Sequence, residues 1–277
     1  MTLRPTDVLA VLLVWAANAV ADPAAVEQCT ADGHDVLASV RARGTLRVAQ
    51  THDYRPFSFR DVRQSPSGID AELARNLADD LGVSVEWIDT TWSTLVSDLQ
   101  SDRFDIAMSG VSITQERAAA GCFSAAYFST GKTALTRCAV HRTFDTLAQL
   151  DAPQVTVIVN RGGTNERFAR DHLTHARIVV HEDNRTVFAA LAAGEADVMI
   201  TDSVEARLEA NSNPALCVAD PPPLFEVVTK AFLVPKDPAW QRRVNAWLER
   251  LEQSGALAVI TDRYLNAPQT ATAAHPG

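Results

Sequence analysis

The chain has 277 residues, with 25 Lys and Arg against 34 Asp and Glu, a formal charge of −9; nucleic-acid binding is disfavoured, because such a footprint is basic. Its composition, 47% hydrophobic and 21% charged, provides apolar side chains for one large core or two smaller ones and excludes disorder and collagen-like repeats. The length is compatible with one domain or two.

The first residues, MTLRPTDVLAVLLVWAANAVADP, carry Arg4, an apolar stretch from Val8 to Val20, and Ala19-Val20-Ala21. This pattern predicts an export signal over 1–21, cleaved after Ala21. The apolar stretch falls short of the roughly 20 residues a membrane span needs, and no later stretch is long and apolar enough. Cleavage would remove Arg4 and Asp7 together and leave the charge unchanged.

HDVLASVRARG then reads as a helix ending at Gly44, TLRVAQ as a strand, and IDAELARNLADDL as an amphipathic helix over 69–81. VSVEWI is a strand, Thr91 a candidate cap for the helix WSTLVSDLQ, and FDIAMSG a further strand. A second series repeats the alternation: VTVIV, RIVVH and DVMITD as strands, TNERFARDHL, TVFAALAAG and SVEARLEA as helices. Strand–helix alternation of this kind indicates α/β sheets with helical crossovers.

Two extended runs, KTALTRC and KAFLVPK, separate the series and suggest a two-strand hinge. The helix PAWQRRVNAWLERLEQSG and the following ALAVITDRYL would return to the first lobe. The expected organisation is a first lobe over 22–136 and 232–267, a second over 137–231, and a frayed tail over 268–277.

Cys29, Cys122, Cys138 and Cys217 all follow the signal, and in an oxidising setting four thiols allow three connectivities. Cys138 and Cys217 flank the inserted segment, which favours their pairing. Cys29 and Cys122 stay open between a second bond and buried free thiols. No zinc spacing is present, and the helix-face pair His172 and His175 has no third ligand, so a surface pair is the better reading.

The arrangement resembles the periplasmic solute-binding proteins for polar amino acids, from about Gly44 to Leu265. The segments that carry it are TLRVAQTHDYRPFSF, GIDAELARNLADDLG, FDIAMSGVSITQER, GGTNERFA and ADVMITD. The resemblance implies a type II periplasmic-binding-protein-like α/β fold, with two lobes joined by a two-strand hinge and a ligand cleft between them. Other runs, HDYRPFSFRD, STGKTALTRC, VIVNRGGTNERFARDHL and MITDSVEARL, are similar to the cyclohexadienyl dehydratase family, exported enzymes on that fold. Those enzymes convert prephenate to phenylpyruvate, or L-arogenate to L-phenylalanine, without a cofactor.

From this resemblance follow the expected site roles. Arg117 would clamp a carboxylate, helped by Ser112, by exposed backbone N–H groups from Ser109 through Gly110 to Ser112, and by the helix start at Gly163 and Thr164. Lys132 would meet a second carboxylate or steady the acid. Glu205, where binding proteins usually carry a small or aliphatic residue, would be the general acid, its pKa raised by burial, with Asn160 holding its carboxyl. Asp202 would meet a substrate ammonium group or cap the helix after it. Tyr54, Phe57 and Trp92 would wall the cyclohexadiene ring.

Each position has a plainer reading: a solvated helix-start arginine, a hinge-surface lysine, a surface Glu205–Arg207 pair, or aromatic core packing. The expected partner is a small-molecule substrate, prephenate or L-arogenate, with no metal and no nucleic acid. The competing functional class is a receptor delivering a polar amino acid to a membrane transporter; a signalling sensor module is a third.

Overall fold

The computed structural model of the protein describes residues 29–33, 35–140, 144–218 and 224–266. The expected export signal and the tail 268–277 lie outside the described residues. The chain begins with α1 (Val36–Arg43) and β1 (Thr45–Gln50), followed by a ribbon of β2 (Asp53–Tyr54), β3 (Ser58–Arg60) and β4 (Pro66–Ser67). Next come α2 (Ile69–Leu81), β5 (Ser84–Asp89), α3 (Leu95–Gln100), β6 (Ile106–Ala107), α4 (Gln115–Ala120) and β7 (Cys122–Phe123).

The chain then crosses into β8 (Phe128–Arg137), α5 (Leu147–Leu150), β9 (Thr156–Asn160), α6 (Thr164–His172) and β10 (Arg177–His181). It continues through α7 (Val187–Ala193), β11 (Val198–Asp202), α8 (Ser203–Ser212), β12 (Leu216–Cys217) and β13 (Glu226–Lys230). It returns with β14 (Leu233–Val234), α9 (Pro238–Gln253) and α10 (Ala256–Leu265).

Two sheets result. The first has the order β5-β1-β6-β14-β7, and the second β10-β9-β11-β8-β12 with β13 also paired to β8. In each, the strands joined through helices are parallel, whereas β14 in the first sheet and β8 in the second run antiparallel to their neighbours. Both faces of both sheets are covered, so alternate strand residues enter different cores. Val157 and Val159 of β9 pack with Phe168 of α6, while Ile158 between them packs with Leu191 of α7.

Helix α9 buries Trp240, Val244, Trp247, Leu248 and Leu251 along one stripe, in one core with Leu46 and Val48 of β1 and Leu73 and Leu77 of α2. Its start is fixed by Asp237, whose carboxylate accepts from the backbone N–H groups of Ala239 and Trp240 at 2.9 and 3.0 Å.

Three details differ from the sequence reading. Residues 128–136 belong to the second sheet, because β8 pairs with β11, β12 and β13; we propose that the lobe boundary falls near residue 127 rather than 136. Helix α3 starts at Leu95 and not at Trp92, since the hydroxyls of Thr91 and Thr94 bond each other (2.9 Å) in a turn ahead of it. The strand expected over FDIAMSG is only Ile106–Ala107, because the chain leaves the sheet to give the Gly110 N–H to the buried Asp70 carboxylate at 2.7 Å.

Both cysteine pairs are bonded, Cys138–Cys217 as favoured and Cys29–Cys122 as the second bond. His172 lies stacked on Phe168, and His175 pairs with Asp151 at 2.8 Å. Among the described residues no helix is long and apolar enough to cross a membrane.

Candidate active site

A cleft opens between the two sheets, at the ends of β6, β9 and β11. From the first lobe it is lined by Tyr54, Trp92, Gly110, Ser112 and Arg117; Asn160, Gly163, Thr164, Asn165, Asn184, Asp202, Glu205 and Lys230 line it opposite. Contacts across it hold the lobes together. The Tyr54 hydroxyl donates to Asp202, the Asn184 side-chain amide donates to the Asp53 carbonyl at 2.8 Å, and Arg167 pairs with Glu116 at the rim.

Helix α4 positions Arg117: the Thr114 hydroxyl caps its first turn by accepting the Arg117 backbone N–H at 3.3 Å. The guanidinium is buried, 5.5 Å from the Trp92 ring centroid, and donates to the Ser112 carbonyl at 3.0 Å. Among the described residues no carboxylate pairs with it; the adjacent Glu116 is taken by Arg167. Burial, reinforced by the nearby Arg167 charge, lowers its pKa to about 10. A buried guanidinium with unused donors and no counter-ion is costly until an anion arrives, so the solvated-arginine reading fails.

At the end of β11 the Asp202 carboxylate, 2% exposed, accepts from Lys132 at 2.8 Å on one oxygen and from Lys230 at 2.6 Å and Tyr54 on the other. Burial opposes its ionisation, yet the two ammonium groups hold it ionised, well below the usual carboxylate range. It stands at the N-cap position of α8 but makes no side-chain capping bond, because both oxygens are committed to the cations.

Glu205 lies in the first turn of α8 and is 1% exposed. Its carboxyl accepts from the Thr201 hydroxyl. Burial, helped by the negative charges of Glu209, Asp202 and Asp53, pushes its pKa well above the ordinary carboxylate value and favours the protonated form. This burial rules out a surface Glu205–Arg207 pair.

Ten of the thirteen residues expected at the site line the cleft. The other three lie behind it. Phe57 is fully buried, its ring centroid 5.1 Å from that of Tyr54. The Ser109 hydroxyl is bonded to that of Thr51 at 2.8 Å. Lys132 uses its three donors on Asp202, Thr164 Oγ1 (2.8 Å) and Asn165. With none left over, it has no donor for a substrate carboxylate, and the idea that it meets one is corrected.

Two further roles change. Gly110 lines the cleft, but its N–H is bound to Asp70, so it does not supply the expected anion-binding donor. Asn160 is bonded to Asn165 at 3.0 Å, while Thr201 is the partner of Glu205.

Sequence reasoning missed Lys230, Asn165 and Asn184. Lys230 sits at the end of β13, 1% exposed, and its ammonium reaches Asp202 and the Ser112 hydroxyl (2.9 Å) over the Tyr54 ring, 4.8 Å from the centroid. A signal was available: in EVVTK the alternation puts Lys230 on the same face as the buried Val228. Asn184 is buried, and its Oδ1 has no partner among the described residues. Nothing in its neighbourhood of the sequence distinguishes it from a loop residue.

Taken together the cleft brings a buried guanidinium at Arg117, a second cation at Lys230, the N-terminus of α6 at Gly163 and Thr164, and a buried carboxyl at Glu205 onto one lining. A cyclohexadienyl dehydratase of Pseudomonas aeruginosa PAO1 is 47% identical over 222 residues, covering 80% of this chain and 83% of that protein. The L-cystine-binding protein TcyJ of Escherichia coli K12 is 27% identical over 238 residues, covering 85% and 88% respectively. The crystal structure of AncCDT-1, an ancestral amino acid-binding protein described as a precursor of cyclohexadienyl dehydratase, superposes with a TM-score of 0.78 at 35% identity, over 83% of this chain and 99% of that one. The family model for bacterial extracellular solute-binding proteins, family 3, matches residues 46–267, and the chain belongs to that family.

Proposed function

We propose that the protein is a cyclohexadienyl dehydratase, a carbon–oxygen lyase acting on prephenate or L-arogenate, exported to the periplasm by the signal over 1–21. The observation that carries this reading is Glu205: a carboxyl group buried in the cleft, where burial favours its protonated form, which a binding protein for polar amino acids has no use for and an acid catalyst requires. Similarity to the Pseudomonas aeruginosa dehydratase supports it.

In this mechanism Arg117 holds one carboxylate of the substrate, and Lys230 with the start of α6 holds the other. Tyr54 and Trp92 face the ring. The Glu205 proton passes to the departing ring hydroxyl, the C–O bond breaks, and the ring carboxylate leaves as CO2 as its bonding pair completes the aromatic ring. Prephenate dianion and one proton give phenylpyruvate anion, CO2 and water. Excluding water favours the carboxylate's loss of charge, and Lys132 keeps Asp202 and Thr164 in place behind the site.

The test is to incubate the purified mature protein with prephenate and follow phenylpyruvate. Turnover should exceed the acid-catalysed background, and Glu205→Gln should lower kcat by about 10²–10⁴-fold while substrate still binds. No turnover combined with tight binding of a polar amino acid would overturn the reading in favour of a transport receptor.

A further inference from the structure

We infer that Asn184 is a catalytic residue of the same reaction: its side-chain oxygen accepts the hydrogen of the departing ring hydroxyl while Glu205 protonates that hydroxyl's oxygen. The inference rests on the dehydratase reading of the cleft and adds to it the group that receives the leaving water.

Three observations carry it. Asn184 lines the cleft and is 6% exposed, and its buried Oδ1 has no partner among the described residues. Every other oxygen-bearing side chain of the lining has an oxygen engaged in a hydrogen bond. A buried amide oxygen left unpaired is costly until a donor reaches it.

The orientation of the amide is settled by its partner. Asn184 Nδ2 lies 2.8 Å from the Asp53 carbonyl on the opposite lobe, and a carbonyl can only accept, so the amino half faces Asp53 and the oxygen is the half left over. Asn184 follows β10, and Glu205 stands in the first turn after β11. The parallel order β10-β9-β11 brings both to the carboxyl edge of one sheet, where α/β folds receive ligands. Asp53 joins them from the first lobe: its carbonyl holds the Asn184 amide, and its negative charge acts on Glu205.

The substrate selects the donor. Prephenate carries two carboxylates and a ketone, all acceptors, and a single donor, the ring hydroxyl, which L-arogenate shares. With one lone pair of that oxygen facing the Glu205 proton, its own hydrogen points elsewhere and needs an acceptor. As the C–O bond breaks and the proton arrives, the leaving oxygen gains positive character, so its bond to Oδ1 strengthens toward the transition state. Water departs with the hydrogen it had and the one from Glu205, and Asn184 gains and loses none. An amide suits this place, because it sets no negative charge beside a dianion and does not compete for the Glu205 proton.

The experiment pairs Asn184→Ala with two ligands, prephenate and its analogue carrying hydrogen in place of the ring hydroxyl. In steady-state kinetics Asn184→Ala should lower kcat on prephenate by about tenfold or more. In calorimetry, with Glu205→Gln as the non-reacting background, adding Asn184→Ala should weaken prephenate by about tenfold and leave the deoxy analogue within about threefold. A role confined to the Asp53 contact would weaken both ligands alike; that result, or an unchanged kcat, would overturn the inference and leave the dehydratase reading standing. Asn184→Ser, too short to place its oxygen where Oδ1 lies, replaces Asn184→Ala if the latter does not fold.

If the wild type does not turn over prephenate, the dehydratase reading fails, and the two ligands are compared on the wild type and Asn184→Ala without the Glu205 substitution. A loss confined to the hydroxyl-bearing ligand supports the contact, and an equal loss, or no binding of either, overturns it.

Discussion

Arg117 and Glu205 share one cleft with opposite requirements: the first must stay charged and the second must stay neutral. Burial works against the charge on both, lowering Arg117 to about 10, still far above neutral, and raising Glu205 into its useful form. Arg117→Ala should therefore raise KM by about 10²-fold or more, since it removes a buried charge from its carboxylate partner, with a smaller effect on kcat in steady-state kinetics. As the proposed acid Glu205 would act when protonated, so its contribution would be full below its raised pKa and lost as pH rises through it. Lys230 also acts when protonated, and burial with neighbouring Lys132 and Arg117 outweighs Asp202 to bring it down to about 8. Tyr54, Ser112 and Asp70 are its other polar neighbours. The pH profile of kcat/KM should thus fall on the alkaline side, above about pH 8, and a rate that rises there would remove both assignments.

The same residue gives a stability prediction of opposite sign to its catalytic one. A carboxyl whose folded pKa is raised stabilises the fold below its unfolded pKa and loses that advantage as pH climbs toward the folded value. At pH 7 the wild type carries this burden, and a neutral amide does not. Glu205→Gln should therefore raise Tm at neutral pH even as it lowers kcat, by about 2–4 °C for each 1 kcal/mol relieved; calorimetric scans at pH 7 and pH 4 should show the gain shrinking at the lower value.

At the scale of elements, the turn between β9 and α6 sets how closely the lobes approach. Gly162 there has φ of +74°, and a Cβ on it would collide with Ser93 of the first lobe, lying 2.8 Å from its backbone nitrogen. Gly162→Ala should prop the cleft open, raising KM and lowering kcat together, with little change in the circular-dichroism spectrum.

Elements also mark what could be read from sequence. Helices α2 and α9 were legible to within a residue or two, because one apolar stripe dictates each. Strand β6 and the start of α3 were not, because their ends are decided by partners distant in sequence or by a turn of hydroxyls, and no periodicity records these. Most lining residues were legible through motif resemblance. The filled state of Asp202 was not, since Lys132 and Lys230 reach it from strands 70 and 28 residues away.

For the whole molecule, the two disulfides lie one within each lobe: Cys29–Cys122 ties the N-terminal segment to β7, and Cys138–Cys217 joins the end of β8 to β12. Neither crosses the cleft. Their loops of 93 and 79 residues predict about 2–5 kcal/mol each, through restriction of the unfolded chain. Replacing Cys138 and Cys217 by Ser should lower Tm while kcat/KM at 25 °C is retained. A loss of activity in the folded variant would show that the bond shapes the cleft.

The near-complete burial of Glu205 beneath closed lobes has a kinetic corollary. With Glu205 as the acid, every catalytic cycle ends with its carboxyl spent and cut off from solvent, so the proton for the next round arrives when the lobes part. Opening then discharges products and recharges the acid in one movement, and the enzyme meters its hydrogen-ion uptake by the frequency of its own breathing.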